Sequence, residues 1–251
     1  MGIINPTWES DCGTVKLWLG DCLEIMQSWP NGAVDAVVTD PPYGINTKSA
    51  GAGKLNPWAD MCNSAFWYAA WMNEVRRIAK CAWSFLNWRS MVTFQKAACD
   101  IQWPIESLCV WDKCWIGPGG TMGLRPSYEL IAFWQNGRGI QDRGIPDVQR
   151  FPWSSHKLYH PAEKPVDAMR FCIDSCKAEA VADPFMGSGT AGVAAVSLDC
   201  QFWGIELDPK HFETAKRRIQ DELRKIEFLE PQRVKEQRKQ AVLFCSDEVT
   251  A

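Results

Sequence analysis

Val15, Leu17 and Leu19 fall on every second position, the period of a β-strand, and the run stops at Gly20-Asp21. A short helix is expected from Leu23, closed by Pro30-Asn31-Gly32. Val34-Asp35-Ala36-Val37-Val38-Thr39 reads as a buried strand. It ends sharply, because Asp40-Pro41-Pro42-Tyr43 follows and proline cannot continue a central ladder. Residues 44–63, rich in Gly, Ala and Asn, make a connection of the length that often carries function. Asn63-Ser64 can cap a helix that places Trp67, Trp71, Val75 and Ile78 on one face.

A strand near 82–88, a helix near 90–101 and strands near 105–112 and 128–135 come next, whereas 136–159 shows no clear period. Pro165 opens a helix with Val166, Met169, Cys172, Ile173 and Cys176 inward. Ala180-Val181-Ala182-Asp183 is a strand, followed by a glycine loop, a small-residue helix near 190–198 and a strand at 202–206. Phe212, Ala215, Ile219 and Ile226 mark a long amphipathic helix expected to end at Pro231, leaving a polar tail. Strands alternating with helices predict an α/β fold with a mostly parallel, helix-covered sheet.

The 251 residues suffice for one such domain. No apolar run reaches the ~18 residues of a membrane span. The first residues show no basic stretch followed by an apolar one, so a cytoplasmic protein is expected. The eleven cysteines are scattered without a Cys-x-x-Cys pair, and no histidine cluster completes a zinc site; they read as reduced, buried small hydrophobes, with no metal. A net charge of -3 does not announce a nucleic-acid partner. The distribution is less neutral, since residues 113–159 hold six Lys/Arg against three Asp/Glu. Residues 210–239 hold ten against six, which a solvated helix face explains as well as DNA contact does. With fourteen tryptophans most must be core, although aromatics also stack on unpaired bases.

Two motifs carry chemistry. Asp183-Pro184-Phe185-Met186-Gly187-Ser188-Gly189-Thr190 lies between a strand and a helix, where glycines let backbone approach a ligand and a helix N-terminus favours a carboxylate. Glu206 closes the next strand, and its carboxylate can accept from both hydroxyls of a ribose. Gly187, Gly189 and Gly192 also spell the dinucleotide-binding Gly-x-Gly-x-x-Gly, so this motif alone leaves NAD, S-adenosylmethionine and a structural turn open.

The second motif, Asp40-Pro41-Pro42-Tyr43, ends a buried strand where open α/β sheets place ligands. An aromatic amino group is a poor nucleophile because its lone pair is delocalised into the ring. Two acceptors can free that pair by holding the amino hydrogens out of plane. Asp40 supplies a carboxylate. The carbonyls of Asp40 and Pro41 each precede a proline, which confines their direction. Tyr43 offers a ring to stack on a base drawn out of its duplex. Taken alone, the tetrapeptide also fits a structural turn with a packing tyrosine.

Together the motifs resemble the DNA amino-methyltransferases of the permuted β group, in which the catalytic motif precedes the cofactor motif. Gly20-Asp21-Cys22 with Val34-Asp35 and Asp40-Pro41-Pro42-Tyr43 is similar to the family's opening block. Trp71, Glu74 and Arg76-Arg77 resemble the helix before its central strand, and Tyr128-Glu129-Leu130-Ile131 the strand before its recognition segment. His160-Pro161-Ala162-Glu163-Lys164-Pro165 resembles its His-Pro-Thr-Gln-Lys-Pro block, with Ala162 in place of the usual hydroxyl. The resemblance runs over about residues 14–220, ending with Ala182–Glu206 as the cofactor half.

It implies a Rossmann-like S-adenosylmethionine-dependent fold with permuted motif order. Residues 1–112 would form the catalytic half, 113–159 closing strands and a small recognition segment, 160–230 the cofactor half and 231–251 a tail. Asp40, Pro41, Pro42 and Tyr43 would be catalytic. Asp21 and Cys22 would meet the cofactor's adenine and Glu206 its ribose. Asp183, Phe185, Gly187, Ser188, Gly189 and Thr190 would meet its methionine part, with Lys164 beside that pocket. Arg138, Arg143, Arg150 and Lys157 are the candidate DNA contacts. The implied activity is site-specific methylation of the adenine N6 amino group in double-stranded DNA, in a bacterial or phage-infected cell and as part of restriction-modification. The alternatives are cytosine N4, for which relatives more often carry Ser at the Asp40 position, an NAD-dependent oxidoreductase, and a non-catalytic DNA-binding module. So small a recognition segment points to a homodimer.

Overall fold

The computed structural model describes residues 2, 4–42, 64–116, 124–142, 144–153 and 163–247, with side chains of the last helix described to Phe228. In chain order the elements are β1 (Trp8–Glu9), β2 (Val15–Leu19), α1 (Cys22–Ser28), β3 (Val34–Thr39), α2 (Ala65–Ile78), β4 (Ala79–Leu86) and α3 (Met91–Asp100). They continue with β5 (Ser107–Asp112), β6 (Tyr128–Gln135), β7 (Val148–Arg150), α4 (Val166–Ser175), β8 (Ala180–Asp183), α5 (Thr190–Ser197), β9 (Gln201–Glu206) and α6 (Pro209–Asp247).

The strands form one sheet in the order β1-β2-β9-β8-β3-β4-β6-β5-β7. The five strands from β2 to β4 are mutually parallel, as is β7 to β5; β6 runs antiparallel to β4 and β5, and β1 to β2. All of β3 is buried, as expected of a parallel strand covered by helices on both faces. One core lies between the sheet and α4, α5 and α6. The other lies between the sheet and α1, α2 and α3, where Trp71, Tyr68 and Phe94 pack with Trp134. Buried tryptophans on both faces account for much of the unusual aromatic content.

Local chemistry explains most boundaries. Asp21 caps α1 by accepting from the N–H groups of Leu23 and Glu24, and Ser64 caps α2 by accepting from Trp67 N–H. At the N-terminal end of β3 the Asp35 carboxylate meets Lys80 at 2.8 Å and accepts from the N–H groups of Glu179 and Ala180. Burial of Asp35 opposes ionisation, but these donors and Arg138 outweigh it and hold its pKa below the ordinary carboxylate value. One side chain thus ties β3 to β4 and β8.

Three expectations change. The strand near 82–88 is Ala79–Leu86, because β4 follows α2 with no loop between them. The segment 136–159 contains β7, too short to leave a period. The last helix continues through Pro231 to Asp247: proline disfavours a helix interior without forbidding it, and strong helix formers flank it. No described helix is long and apolar enough to cross a membrane. The described cysteines are free thiols; Cys81, Cys109, Cys172, Cys176 and Cys200 are buried.

Gly189 precedes α5 with φ +83°, and a Cβ there would stand 2.8 Å from Ala215 Cβ and 2.9 Å from its Cα. Both the backbone angle and the backbone of α6 therefore require glycine. Gly189→Ala is expected to destabilise the fold by ~1–3 kcal/mol. Urea unfolding should show it as a lower midpoint at unchanged slope.

Candidate active site

Strands β3 and β8 are neighbours, yet β3 leads on to β4 on one side and β8 to β9 on the other. The chain therefore continues from these two strands to opposite sides of the sheet, and beyond the C-terminal ends at such a point is where open parallel sheets bind ligands. Asp40 follows β3 and Asp183 ends β8. The Thr39 hydroxyl donates to Asp183 Oδ1 at 2.6 Å, and Phe185 N–H donates to the same oxygen at 3.0 Å. Asp183 is only 2% exposed. Burial pushes its pKa up to about 7; the hydrogen bonds from Thr39 and Phe185 oppose the rise, and the negative charges of Asp40 and Glu206 add to it.

On one side of Asp183 the glycine loop closes against β9. Met186 N–H donates to Ile205 C=O, Gly187 N–H to Glu206 Oε2 at 2.8 Å and Asp208 N–H to Glu206 Oε1 at 2.8 Å. Glu206 stands in register with Leu19, and Gly20 N–H donates to Glu206 C=O, so the Gly20-Asp21-Cys22 turn lies beside it. The ring of Phe185 packs against Trp67 and Trp71, each with centroids 5.6 Å away. The buried hydroxyls of Ser188 and Thr190 face Arg218, whose guanidinium donates to both and to the Ser188 carbonyl while pairing with Glu163. These two side chains therefore fix the loop to α6. A Cβ on Gly192 would come within 2.4 Å of Ile219 Cδ1, so the last glycine of the Gly-x-Gly-x-x-Gly spelling serves helix packing.

On the other side, Lys164 Nζ lies 2.6 Å from Asp40 Oδ2 and 3.2 Å from Glu129 Oε2. Lys113 meets the other oxygen of Glu129 at 2.5 Å. Burial would lower the pKa of Lys164, but Asp40 and Glu129 outweigh it and raise it well above the usual lysine value. Burial would likewise raise Glu129, yet Lys164 and Lys113 bring it below the usual glutamate value.

Asp21, Cys22, Asp40, Pro41, Asp183, Phe185, Gly187, Glu206 and Lys164 thus gather at one end of the sheet, although they span most of the chain. Lys164, expected beside the cofactor pocket, is engaged with Asp40 and Glu129. Arg150, with a side chain 78% exposed, stands at this same end and pairs with Asp112 at 3.2 Å. Arg138 does not. It follows β6, which runs the other way, and its guanidinium reaches Asp35 and the carbonyls of Cys176 and Lys177 at the opposite end of the sheet. It is an internal clamp, which removes it from the expected DNA contacts. Tyr43, Arg143 and Lys157 lie outside the described residues. Thr39, Lys113, Glu129, Glu163 and Arg218 were not legible as site residues. Glu129 and Glu163 were named only as members of blocks that resemble the family's. Among the described residues no group of His, Cys, Asp and Glu could hold a metal ion.

A family model described as DNA methylase, of the N6/N4 type, matches residues 34–217. The type II methyltransferase M2.MboI of Moraxella bovis is 26% identical over 253 residues, covering 87% of this chain and 92% of that protein. Among solved structures, the M1.HpyAVI–SAM complex superposes with TM-score 0.64 at 20% identity, over 82% of this chain and 98% of that one. The cytosine-N4-specific PvuII DNA methyltransferase superposes with TM-score 0.68 at 15% identity, over 88% and 95%. The fold is that of these methyltransferases.

The raised Asp183 carboxyl gives a pH signature. Its folded pKa of about 7 lies above the ordinary 3.8, so folding favours its protonated form. Stability therefore falls as pH rises from about 4 to about 7, and the loss is complete above that. Asp183→Asn should remove this dependence, raising the unfolding free energy at pH 8 by up to ~4 kcal/mol while changing it little at pH 4. Urea unfolding at both pH values checks this; equal effects at the two would contradict the assignment.

Proposed function

This chain belongs to the N6/N4 family of DNA methylases, enzymes that use S-adenosylmethionine, and from that premise we propose that it methylates the N6 amino group of adenine in double-stranded DNA. The observation that carries the proposal is the placement of Asp40 and Asp183 at the C-terminal ends of adjacent parallel strands, where the strand order reverses.

The residues present fit the cofactor. Asp183 is a buried carboxylate raised by its surroundings, a group that an incoming cation would stabilise in its charged form. Glu206, at the end of the next strand, is oriented by two backbone N–H groups and would take the ribose hydroxyls. Asp21 and Cys22 would border the adenine, and the loop from Phe185 to Thr190 the methionine part. When bound, S-adenosylmethionine supplies a methyl group on a positively charged sulfur.

Asp40 accepts one amino hydrogen of the flipped base and the carbonyl at Pro41 the other. This turns the nitrogen lone pair out of conjugation. Tyr43 stacks on the base. The proton shed by nitrogen passes to Asp40 or to water. Fixed carboxylate and carbonyl acceptors need little reorganisation as charge develops on nitrogen. The aspartate at position 40 favours adenine. The fold likeness to a cytosine-N4-specific enzyme keeps N4 methylation of cytosine as the second reading, and mapping the modified base on DNA from expressing cells separates the two. Arg150, with Arg143 and Lys157, would meet phosphates, and a second copy of the chain would extend the DNA-facing surface.

Two measurements test this. In single-turnover transfer at saturating cofactor and DNA, Asp40→Ala should lose ~10²–10³ in rate, and retention of more than about a tenth would remove Asp40 as the acceptor. In salt titrations of DNA binding, Arg150→Ala should lower the log–log slope by about 0.9, whereas Arg138→Ala should leave it unchanged.

A further inference from the structure

Lys113, Glu129, Lys164 and Asp40 form a line of alternating charge drawn from four parts of the chain. Lys113 follows β5, Glu129 lies in β6, Lys164 precedes α4 and Asp40 follows β3. In the sheet β4 separates β3 from β6. Near this end β4 offers Ser84, Phe85 and Leu86, none of them ionisable. Lys164 spans that gap, its ammonium 5.5 Å from the Phe85 ring, and touches a carboxylate on each side. Its side chain is 6% exposed, and that of Glu129 18%. Buried ion pairs seldom raise stability over apolar packing, because desolvation offsets the attraction. Two positive and two negative groups leave the line neutral, so its carboxylates can stay ionised without a net buried charge.

We infer that Lys164 is a positioning residue for Asp40, and that Glu129, backed by Lys113, holds it in place. The inference rests on the reading of Asp40 as acceptor of the amino hydrogen. Two prolines fix the backbone after Asp40, but its carboxylate can still rotate. Lys164 holds Oδ2 and so sets the direction of the group. Glu129 shares the ammonium, which keeps Lys164 from neutralising Asp40 alone. A displacement of about 1 Å in such a group can cost ~10²-fold in rate. A role in positioning Asp40 and a role in holding the cofactor make different predictions.

The test is single-turnover methyl transfer at saturating cofactor and DNA, with cofactor affinity measured by calorimetry. Lys164→Met should slow transfer ~10–100-fold while cofactor affinity stays within about threefold. Glu129→Gln should slow transfer about tenfold, and Lys164→Arg should recover most of the loss caused by Lys164→Met. Because Lys164 acts through Asp40, adding Lys164→Met to Asp40→Asn should cost less than about twofold more. Three results would each overturn the inference: a Lys164→Met rate within about twofold of wild type, a loss confined to cofactor affinity, or full multiplication of the losses in the Asp40→Asn background. If Lys164→Met does not fold, Lys113→Met at the outer end is read by the same criteria. If Asp40→Ala itself keeps its rate, the proposed function fails rather than this inference alone.

Discussion

The hydrogen bond from Thr39 to Asp183 joins two residues 144 positions apart, and the C-terminal end of the sheet is organised around it. It locks the end of β3 to the end of β8 at the point where the chain turns away in opposite directions. Asp40 and the glycine loop follow directly on the two strands, so both motifs share one cross-link. The bond also gives the buried Asp183 carboxyl a donor, without which its burial would be more costly.

Several carboxylates crowd one end of a parallel sheet, and the fold manages their repulsion group by group. Glu206 accepts from backbone N–H groups, Asp40 and Glu129 are paired with lysines, and Glu163 with Arg218. Asp183, 2% exposed, accepts from the Thr39 hydroxyl and one N–H, and its burial raises it toward neutrality. The opposite end of the sheet shows the contrasting case. Asp35 is matched by Lys80, Arg138 and two N–H groups, and stays ionised as a structural anchor. The two carboxylates differ in how completely each is buried and in the donors that reach it.

Much of this was legible in the chain. The period-2 run at Val15–Leu19, the apolar run Val34–Thr39 stopped by two prolines, and the Ser64 cap each gave the right element, because local chemistry sets those boundaries. Asp40, Asp183 and Glu206 stand at strand ends, where the pattern of the sequence itself places them. Elements without a period of their own were harder. Three residues of β7 pair with β5 only because the sheet edge is there to receive them. The last helix passes Pro231 against the local rule for a stop.

What the sequence alone determined is the pair of motifs, Asp40-Pro41-Pro42-Tyr43 and the glycine loop, each carried by contiguous residues. What only the tertiary structure decided is the company those residues keep. Arg138 and Arg150 look alike in the sequence, yet the direction of β6 against β7 sends one to the structural end of the sheet and the other to the rim of the site. The resemblance sets Lys164 beside the cofactor pocket, and only the fold shows that its ammonium meets Asp40 and Glu129. A charge selects its partner by distance in space and by the water excluded around it, and neither is written in the order of the residues.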